Sequence, residues 1–373
     1  MAATIELQNQ PHPAAGPHGG MLYDIPKTMK AVLYYNNHDV RMIEMPVPEI
    51  GPGELLVKME ACGLCGSELT EYYMVPRAPL VMGHEPTGVV VKVGEGISKF
   101  KPGDRVYVHH HVGCMSCHQC QRGNYSLCEN FRKTRIDPGG MCEYFRVPAD
   151  NARFDTLILP DNVNFEQGTL VEPIACTMRG VKITPIRPGD TVIIIGMGFI
   201  GLSYLELIRH MPAGKIIVLD LNEWRLQQGL RHGATHTVNP ESVDPIERVK
   251  EINEGRLGDA VFVAVPNIHV WDQGISLTEK GGTIHFGTPL PPDVAWPINP
   301  NRLWFSEIKL NFTYSTTHIE TAAVLDMIAA SRLEVDSLVT HRFGLDRVPD
   351  AIKLYKDAGE SLKQLILPAL TQA

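Results

Sequence analysis

The sequence predicts an α/β protein of two domains, one a mostly antiparallel, barrel-like β domain and the other a doubly wound parallel sheet. Three observations lead there. At 373 residues the chain is too long for one ordinary hydrophobic core. Its first half is cut by Gly and Pro into short β-rich runs. After about residue 175, apolar strands alternate with amphipathic helices.

The opening "MAATIELQNQPHPAAGPHGG", residues 1–20, lacks the basic and apolar regions of a secretory signal and reads as a flexible lead-in. "MKAVLYY", "VRMIEMP", "ELLVKMEACG", "TGVVVKVG", "DRVYVHHH" and "EYFRVPAD" then read as strands, with turn chemistry such as "PEIGPGE" and "FKPGD" between them. In the second half "TVIIIG" leads to a helix from about Phe199, and "KIIVLD" leads to "NEWRLQQGLRHG". "THTVN" leads to "PIERVKEINEG", "DAVFVAV" to a helix near Trp271, and "GGTIHFG" follows. From about Thr316 the alternation breaks, and the tail is expected to return to the first domain. The expected division is therefore 21–175 with 316–373, and 176–315.

Composition narrows the function. The formal net charge is −8 and the Lys and Arg residues are scattered, which argues against nucleic acid or an anionic membrane as partner. No apolar run reaches the roughly 20 residues needed to span a bilayer. A small-molecule partner is the expectation. Eight cysteines, four of them packed into residues 114–128, are not spaced like a secreted disulfide framework. A reducing cytoplasm with metal-bound thiolates is expected.

"VIIIGMGFIG" sets Gly196, Gly198 and Gly201 in GxGxxG register between a buried strand and a helix. Glycine there permits a tight turn and close approach of backbone to a pyrophosphate, with Phe199 and Ile200 at the helix mouth. The next strand ends at Asp220, where a carboxylate can bind the adenosine ribose hydroxyls. This is a Rossmann-type site. A 2'-phosphate about 4 Å from Asp220 would cost about 4 kcal/mol at an effective dielectric near 20, so NAD is favoured over NADP. Arg225 nearby would soften that preference.

"CMSCHQCQRGNYSLC" offers Cys114, Cys117, Cys120 and Cys128 in a C-x2-C-x2-C-x7-C series, enough to enclose one tetrahedral structural zinc. The last interval is wrong for a ferredoxin iron-sulfur cluster, and no Pro follows. His118, inside the loop, is expected to be solvated. A second pair, Cys62 and Cys65 in "ACGLCGSELTEYY", has the spacing of a redox dithiol or half a zinc knuckle.

Cys65 gains meaning beside "GHEPTG", with His84 and Glu85, and "LVEPIACT", with Glu172. Together with the four-cysteine loop and the nucleotide fingerprint, in this order, these segments resemble the zinc-dependent medium-chain alcohol and polyol dehydrogenases. The pattern is nearest the sorbitol, butanediol and threonine dehydrogenase-like branches and covers about Lys30 to Leu367. The resemblance implies a β-rich GroES-like catalytic domain beside the Rossmann domain, and two zinc ions per chain. It implies Cys65 and His84 as catalytic-zinc ligands, Glu172 as third ligand or holder of the zinc-bound water, and Glu85 as a mobile exchange ligand. Ser67 is then the hydroxyl that takes the alcohol's proton, and Lys363 a basic group near the cofactor pyrophosphate. Relatives are usually dimers or tetramers, so a homodimer or homotetramer is implied.

The chain departs from the family pattern at Glu68, where Asp is common, and at Thr70, where a relay His is common. Glu71 or water would then finish a proton relay. Arg179 replaces a frequent His and is expected to face the cofactor or a polar substrate. His109, His110 and His111 end a strand, so alternate rings should face opposite ways, and they are read as structural or surface groups. Pocket walls are expected from "MVPRAPL", "NFRKTRIDPGG" and the chain beyond Gly287. The expected reaction is reversible NAD-dependent oxidation of a secondary alcohol to its ketone on a polyol, sugar or cyclitol. A threonine-type dehydrogenase, a carbonyl reductase and a non-catalytic binding protein are the alternatives.

Overall fold

A computed structural model describes residues 23–372; the lead-in expected over residues 1–20 lies outside the described residues. Six strands form one parallel sheet, in the order His236–Val238, Lys215–Leu219, Thr191–Ile195, Gly258–Val263, Thr278–Phe286 and Lys309–Phe312. Thr191–Ile195 is buried at every position, which is why it reads as an unbroken apolar run rather than an alternating one. The strand order reverses between Thr191–Ile195 and Gly258–Val263, and that reversal opens a crevice at their carboxyl ends. The edge strand Lys309–Phe312 and the helix Pro300–Ser306 before it were not among the expected elements. The strand is short and only partly buried, so its four residues carry no apolar signal.

The first half forms a seven-stranded sheet and a three-stranded one. The larger runs Val339–Phe343, Lys363–Ile366, Leu55–Gly63, Glu85–Val93, Arg105–Val108 and Thr156–Ile158, with Tyr144–Val147 against Leu55–Gly63. The smaller joins Asp39–Pro46, Thr28–Asn36 and Leu80–Val81. Two tail strands thus lie in a sheet built mainly by the chain's first half. Leu365 pairs with Gly63, and Gly63 pairs with Glu85 on its other side. This register brings three distant segments to one point.

One buried apolar cluster runs from Ala61 and Tyr107 through Ile174 and Val324 to Ile194 and Val218. The two sheets therefore pack on each other through the helices Val171–Ile183 and His318–Ala329. The histidine run differs from expectation. The strand ends at Val108, so His109, His110 and His111 lie beyond it and follow no alternation.

Candidate active site

Where the two halves meet lies a cleft of about 690 Å³. On one side it is floored by the nucleotide fingerprint. Gly196 follows its strand with φ 92°, and a Cβ there would come within 2.4 Å of the Val265 side chain. A Cβ on Gly201 would sit 1.7 Å from the Gly196 carbonyl oxygen, so helix and strand can approach only with glycine at both positions. Gly198 caps the helix Phe199–Ile208, whose first residues Phe199 and Ile200 line the cleft. Asp220 lines it too. One of its oxygens accepts the Met197 N–H (2.6 Å) and the other the Asn222 N–H (2.8 Å). The carboxylate thus pins the fingerprint turn to the next strand and keeps lone pairs for a ligand. Arg225 reaches the Ser361 carbonyl with Nη2, while its buried Nε has no partner.

On the other side the cleft holds Cys65, His84 and Glu85, whose ligand atoms all lie within 4.8 Å of one another. Each arrives from a different local structure. Cys65 precedes the short turn Gly66–Leu69, and Glu85 opens the strand Glu85–Val93. His84 stands just before that strand, 3.3 Å through Nδ1 from a Glu68 oxygen. Glu68 is buried and also accepts the Gly83 N–H (2.6 Å) and the Cys65 N–H (3.3 Å). The residue that replaces the common Asp therefore fixes both Cys65 and the His84 ring, leaving the second ring nitrogen for a metal.

Glu85 is fully buried and ion-paired with Lys363, yet its Oε1 has no hydrogen-bond partner. Burial raises the Glu85 pKa, and the Lys363 ammonium opposes that rise. Gly63 makes the pair possible: a Cβ there would lie 1.9 Å from Glu85 Oε2 and 2.8 Å from Lys363 Cε. Sequence reasoning missed this glycine, since only the strand register identifies it. Lys363 also stands 4.7 Å from the centre of the Phe199 ring, so it bridges the metal-ligand cluster and the nucleotide fingerprint.

Glu172 opens the helix Val171–Ile183, lines the same cleft and accepts from Cys176 (3.4 Å). Its ligand atom lies within 4.8 Å of those of His109 and His110 and outside the Cys65, His84 and Glu85 group. His109 and His111, held by Asp155 and by the Thr134 carbonyl, fit the structural reading of the histidine run, and His110 departs from it. His109 and His111 are buried, and His110 lines the cleft with its Nδ1 unpartnered. His109 Nδ1 is held by Asp155 at 2.6 Å. Burial, then the neighbouring rings, lowers the His110 pKa well below its usual value, and burial takes His111 down to about 3.

Ser67 donates to the Cys65 sulfur at 3.3 Å and lines the cleft. Thr70 lines it as well, but its hydroxyl donates to the Gly66 carbonyl. Glu71 is turned toward the Asn37 N–H and is exposed. Arg179, expected to face the cofactor or a polar substrate, donates to Ser126 Oγ (2.9 Å) and to the Tyr314 (2.5 Å) and Ser315 (3.1 Å) carbonyls. Its helix points it at the cysteine lobe. Of the expected walls, the chain beyond Gly287, Tyr314 included, lines the cleft, as do Tyr72 and Tyr73 just before "MVPRAPL", whereas no residue of "NFRKTRIDPGG" does. Cys62 is fully buried on the neighbouring core, where burial pushes its thiol well up, so the Cys62–Cys65 pair is no redox dithiol.

Away from the cleft, the sulfurs of Cys114, Cys117, Cys120 and Cys128 converge within the same 4.8 Å limit. The Cys117 N–H donates to Cys114 Sγ (3.3 Å) and the Cys114 N–H to Cys128 Sγ (3.4 Å). Hydrogen bonds from Ser116, then from the Cys117 N–H, bring the Cys114 thiol down to about 6. All eight cysteines are free. His118 is exposed. Four converging sulfurs, two of them already receiving N–H donors, suit a closed zinc site, and the mixed sulfur, nitrogen and oxygen set of the cleft, with a bare buried Oε1, suits an open one.

Comparison with known proteins agrees with this architecture. Residues 51–155 match the alcohol dehydrogenase GroES-like domain and residues 200–330 the zinc-binding dehydrogenase domain. The sorbitol dehydrogenase of Bacillus subtilis is 30% identical over 360 residues, spanning 93% of this chain and 99% of that protein. The crystal structure of 2R,3R-butanediol dehydrogenase from Bacillus subtilis superposes with a TM-score of 0.80 at 29% identity, over 91% of this chain and 99% of that one. A protein of Sinorhizobium meliloti described as a zinc-binding dehydrogenase, solved bound to NADP, gives 0.82 at 29% identity over 92% and 100%. With its GroES-like β domain, its six-stranded Rossmann sheet and its cysteine, histidine and glutamate clusters in family order, the chain belongs to the zinc-containing medium-chain alcohol dehydrogenases.

Proposed function

We propose that the protein oxidises a secondary alcohol on a hydroxylated small molecule, a polyol, sugar or cyclitol, to the ketone, with NAD as hydride acceptor. One observation carries this reading: a single cleft joins Cys65, His84, Glu85 and Glu172 to Gly196, Gly198, Gly201 and Asp220. Cys65 and His84 are the metal-holding pair, Glu172 the third ligand or the holder of a water, and Glu85 an exchange ligand steadied by Lys363. These residues would hold a zinc ion, which when bound would lower the cost of removing the substrate hydroxyl's proton. Ser67 takes that proton at its Oγ and releases it toward the cofactor ribose or solvent. Thr70 is no base, and Glu71 faces away, so water completes the transfer. NAD is preferred because a 2'-phosphate would meet the Asp220 carboxylate, although the Sinorhizobium meliloti relative binds NADP. NADH production across diols, polyols, sugars and cyclitols, run against NADP, tests the assignment. Absence of turnover with every alcohol would overturn it.

The sheet pairing supports 21–175 with 316–373 as the catalytic domain and 176–315 as the nucleotide domain. We also propose a homodimer or larger homo-oligomer built on the edge strand Lys309–Phe312. Trp304 (79% exposed) and Phe305 (81%) precede it and Phe312 (56%) ends it, an apolar edge that a second copy would cover. Sedimentation of Phe305→Glu, expected to shift toward monomer, tests this. Among the described residues no helix is long and apolar enough to cross a membrane. The free cysteines support a reducing, cytoplasmic setting.

A further inference from the structure

Among the described residues three groups of metal-capable side chains have ligand atoms within 4.8 Å of one another, and two of them are the cysteine lobe and the Cys65, His84 and Glu85 cluster. The third is His109, His110 and Glu172. His110 and Glu172 line the cleft, while His109 is fully buried. The His110 ring also stands 4.8 Å from the His84 ring, centre to centre, so the third group adjoins the second.

His109 is held from several directions. One Asp155 oxygen accepts its Nδ1–H (2.6 Å) and the other accepts the Thr321 hydroxyl (2.6 Å), while the Asn151 side chain donates to the His109 carbonyl (2.9 Å). A carboxylate on Nδ1 fixes the tautomer and leaves Nε2 with its lone pair, the arrangement that backs metal-binding histidines. That Nε2 and the His110 Nδ1 are both buried without a partner. The third donor carries the charge. The buried carboxylates of the described chain are those of Glu68, Glu85, Asp155, Glu172, Glu206 and Glu320. Glu68 meets His84, Glu85 meets Lys363, Asp155 meets His109, Glu206 meets Arg209 and His232, and Glu320 meets Lys182. Among them Glu172 alone meets no cationic side chain, and a buried carboxylate without a countercharge is costly. Two imidazole nitrogens beside it supply lone pairs, so the fitting partner for all three is a cation.

We propose that His109, His110 and Glu172 form a second divalent-metal position in the cleft, beside the one assigned to Cys65, His84 and Glu85, and that it takes an ion of the zinc class. Two imidazole nitrogens and one carboxylate oxygen suit Zn²⁺ or Co²⁺, whereas Mg²⁺ and Ca²⁺ favour all-oxygen sets. Lacking a thiolate, the position holds its ion less tightly than either cysteine-containing site, so it fills from solution and empties on dialysis. An ion there engages Glu172 and occupies part of the cleft, and turnover falls. The position itself stands apart from the dehydrogenase reading. Only the inhibition rests on it, because that reading gives Glu172 its role beside Cys65 and His84.

The test titrates the full-length, zinc-loaded protein, dialysed free of excess metal, with Zn²⁺ and separately with Co²⁺, and counts bound metal per chain without substrate. The expected result is one further ion per chain at micromolar free metal, no such gain with Mg²⁺, and no thiolate-to-cobalt charge-transfer absorption from the added Co²⁺. His110→Phe, which keeps a ring but removes its nitrogens, should weaken that ion at least tenfold. His110→Cys should retain it and give the cobalt a thiolate band, a gain that carries the test even where the Phe variant fails to fold. No further ion, a further ion indifferent to both variants, or thiolate absorption in the unaltered protein overturns the position. In the turnover arm, saturating added zinc should lower NADH production at least tenfold, and dialysis should restore it. Binding without inhibition overturns the effect on Glu172 and supports the position. Binding in a protein that oxidises no alcohol supports the position and overturns the dehydrogenase reading.

Discussion

The four-cysteine lobe and the cleft cluster both gather metal-binding side chains within 4.8 Å, yet they are built in opposite ways. The lobe is local. Its ligands fall within fifteen residues and are tied together by N–H donors from their own loop, and Phe131 packs beneath them, fully buried. The cleft cluster is an assembly. Cys65 comes from one segment and His84 with Glu85 from another, and Lys363 reaches Glu85 only because a tail strand pairs beside Leu55–Gly63. A local site depends on its own loop; an assembled one depends on every packing contact that positions its parts.

The largest effect should follow from breaking the assembled side. Cys65→Ser is expected to lower kcat/KM by at least a thousandfold, about 4 kcal/mol of transition-state stabilisation. Zinc should fall from about two to about one per chain, because the lobe holds its ion independently. Full turnover by this variant would remove the metal from the mechanism. The converse break is Cys128→Ser. It should also cost one zinc, open residues 110–135 to protease first, and lower kcat less than tenfold in the protein that stays folded. Loss of both metals together would show that the two sites are not separable.

The same contrast explains what was legible in the sequence. The lobe could be read from spacing alone, because C-x2-C-x2-C-x7-C is a local constraint. The nucleotide turn was equally legible, since Gly201 answers to the Gly196 carbonyl five residues before it. Strand register was not legible, and it decided the rest. The Gly63, Glu85 and Lys363 convergence depends on which strands become neighbours. The alternation expected along the histidine run fails because the strand stops at Val108, a boundary that no residue type marks. Arg179 was misplaced for a related reason. Its distance from Glu172 along a helix is known from sequence, but the neighbour on that face is not.

His285 tests how far the assembled side depends on burial. Its ring sits between the Tyr204 hydroxyl (3.2 Å) and Thr313 Oγ1 (3.0 Å), against the helix that carries Glu172. Burial holds its pKa down to about 4. A depressed histidine pKa means that the unfolded chain takes up the proton first as pH falls. Stability is therefore full above about pH 6.5 and is lost progressively toward pH 4, by up to about 3 kcal/mol. His285→Gln should flatten the pH dependence of unfolding free energy in that window by about one proton. An unchanged slope would mean that the ring already titrates normally in the folded protein.

The smallest expected effect concerns a connection between the two regions. Arg179 leaves the helix that begins with Glu172, donates to Ser126 inside the lobe, and donates to the carbonyls of Tyr314 and Ser315 on the cleft wall. Tyr314 also packs on Phe131 of the lobe, with ring centres 6.3 Å apart. If the lobe merely holds its own loop, Arg179→Met should change stability and nothing else. If the lobe braces the wall, removing the guanidinium frees Tyr314 to move without disturbing Cys65 or His84. The substrate KM should then rise roughly threefold to tenfold, about 1 kcal/mol, the scale of one hydrogen-bonded contact to a charged group in a partly exposed setting. The value of kcat should stay within about twofold and zinc near two per chain, because the ligands are untouched. Arg179→Lys, which keeps the charge but can reach fewer acceptors, should fall between. A KM that does not move with either variant would separate the two regions completely, whereas a graded rise would make the local site a brace for the assembled one.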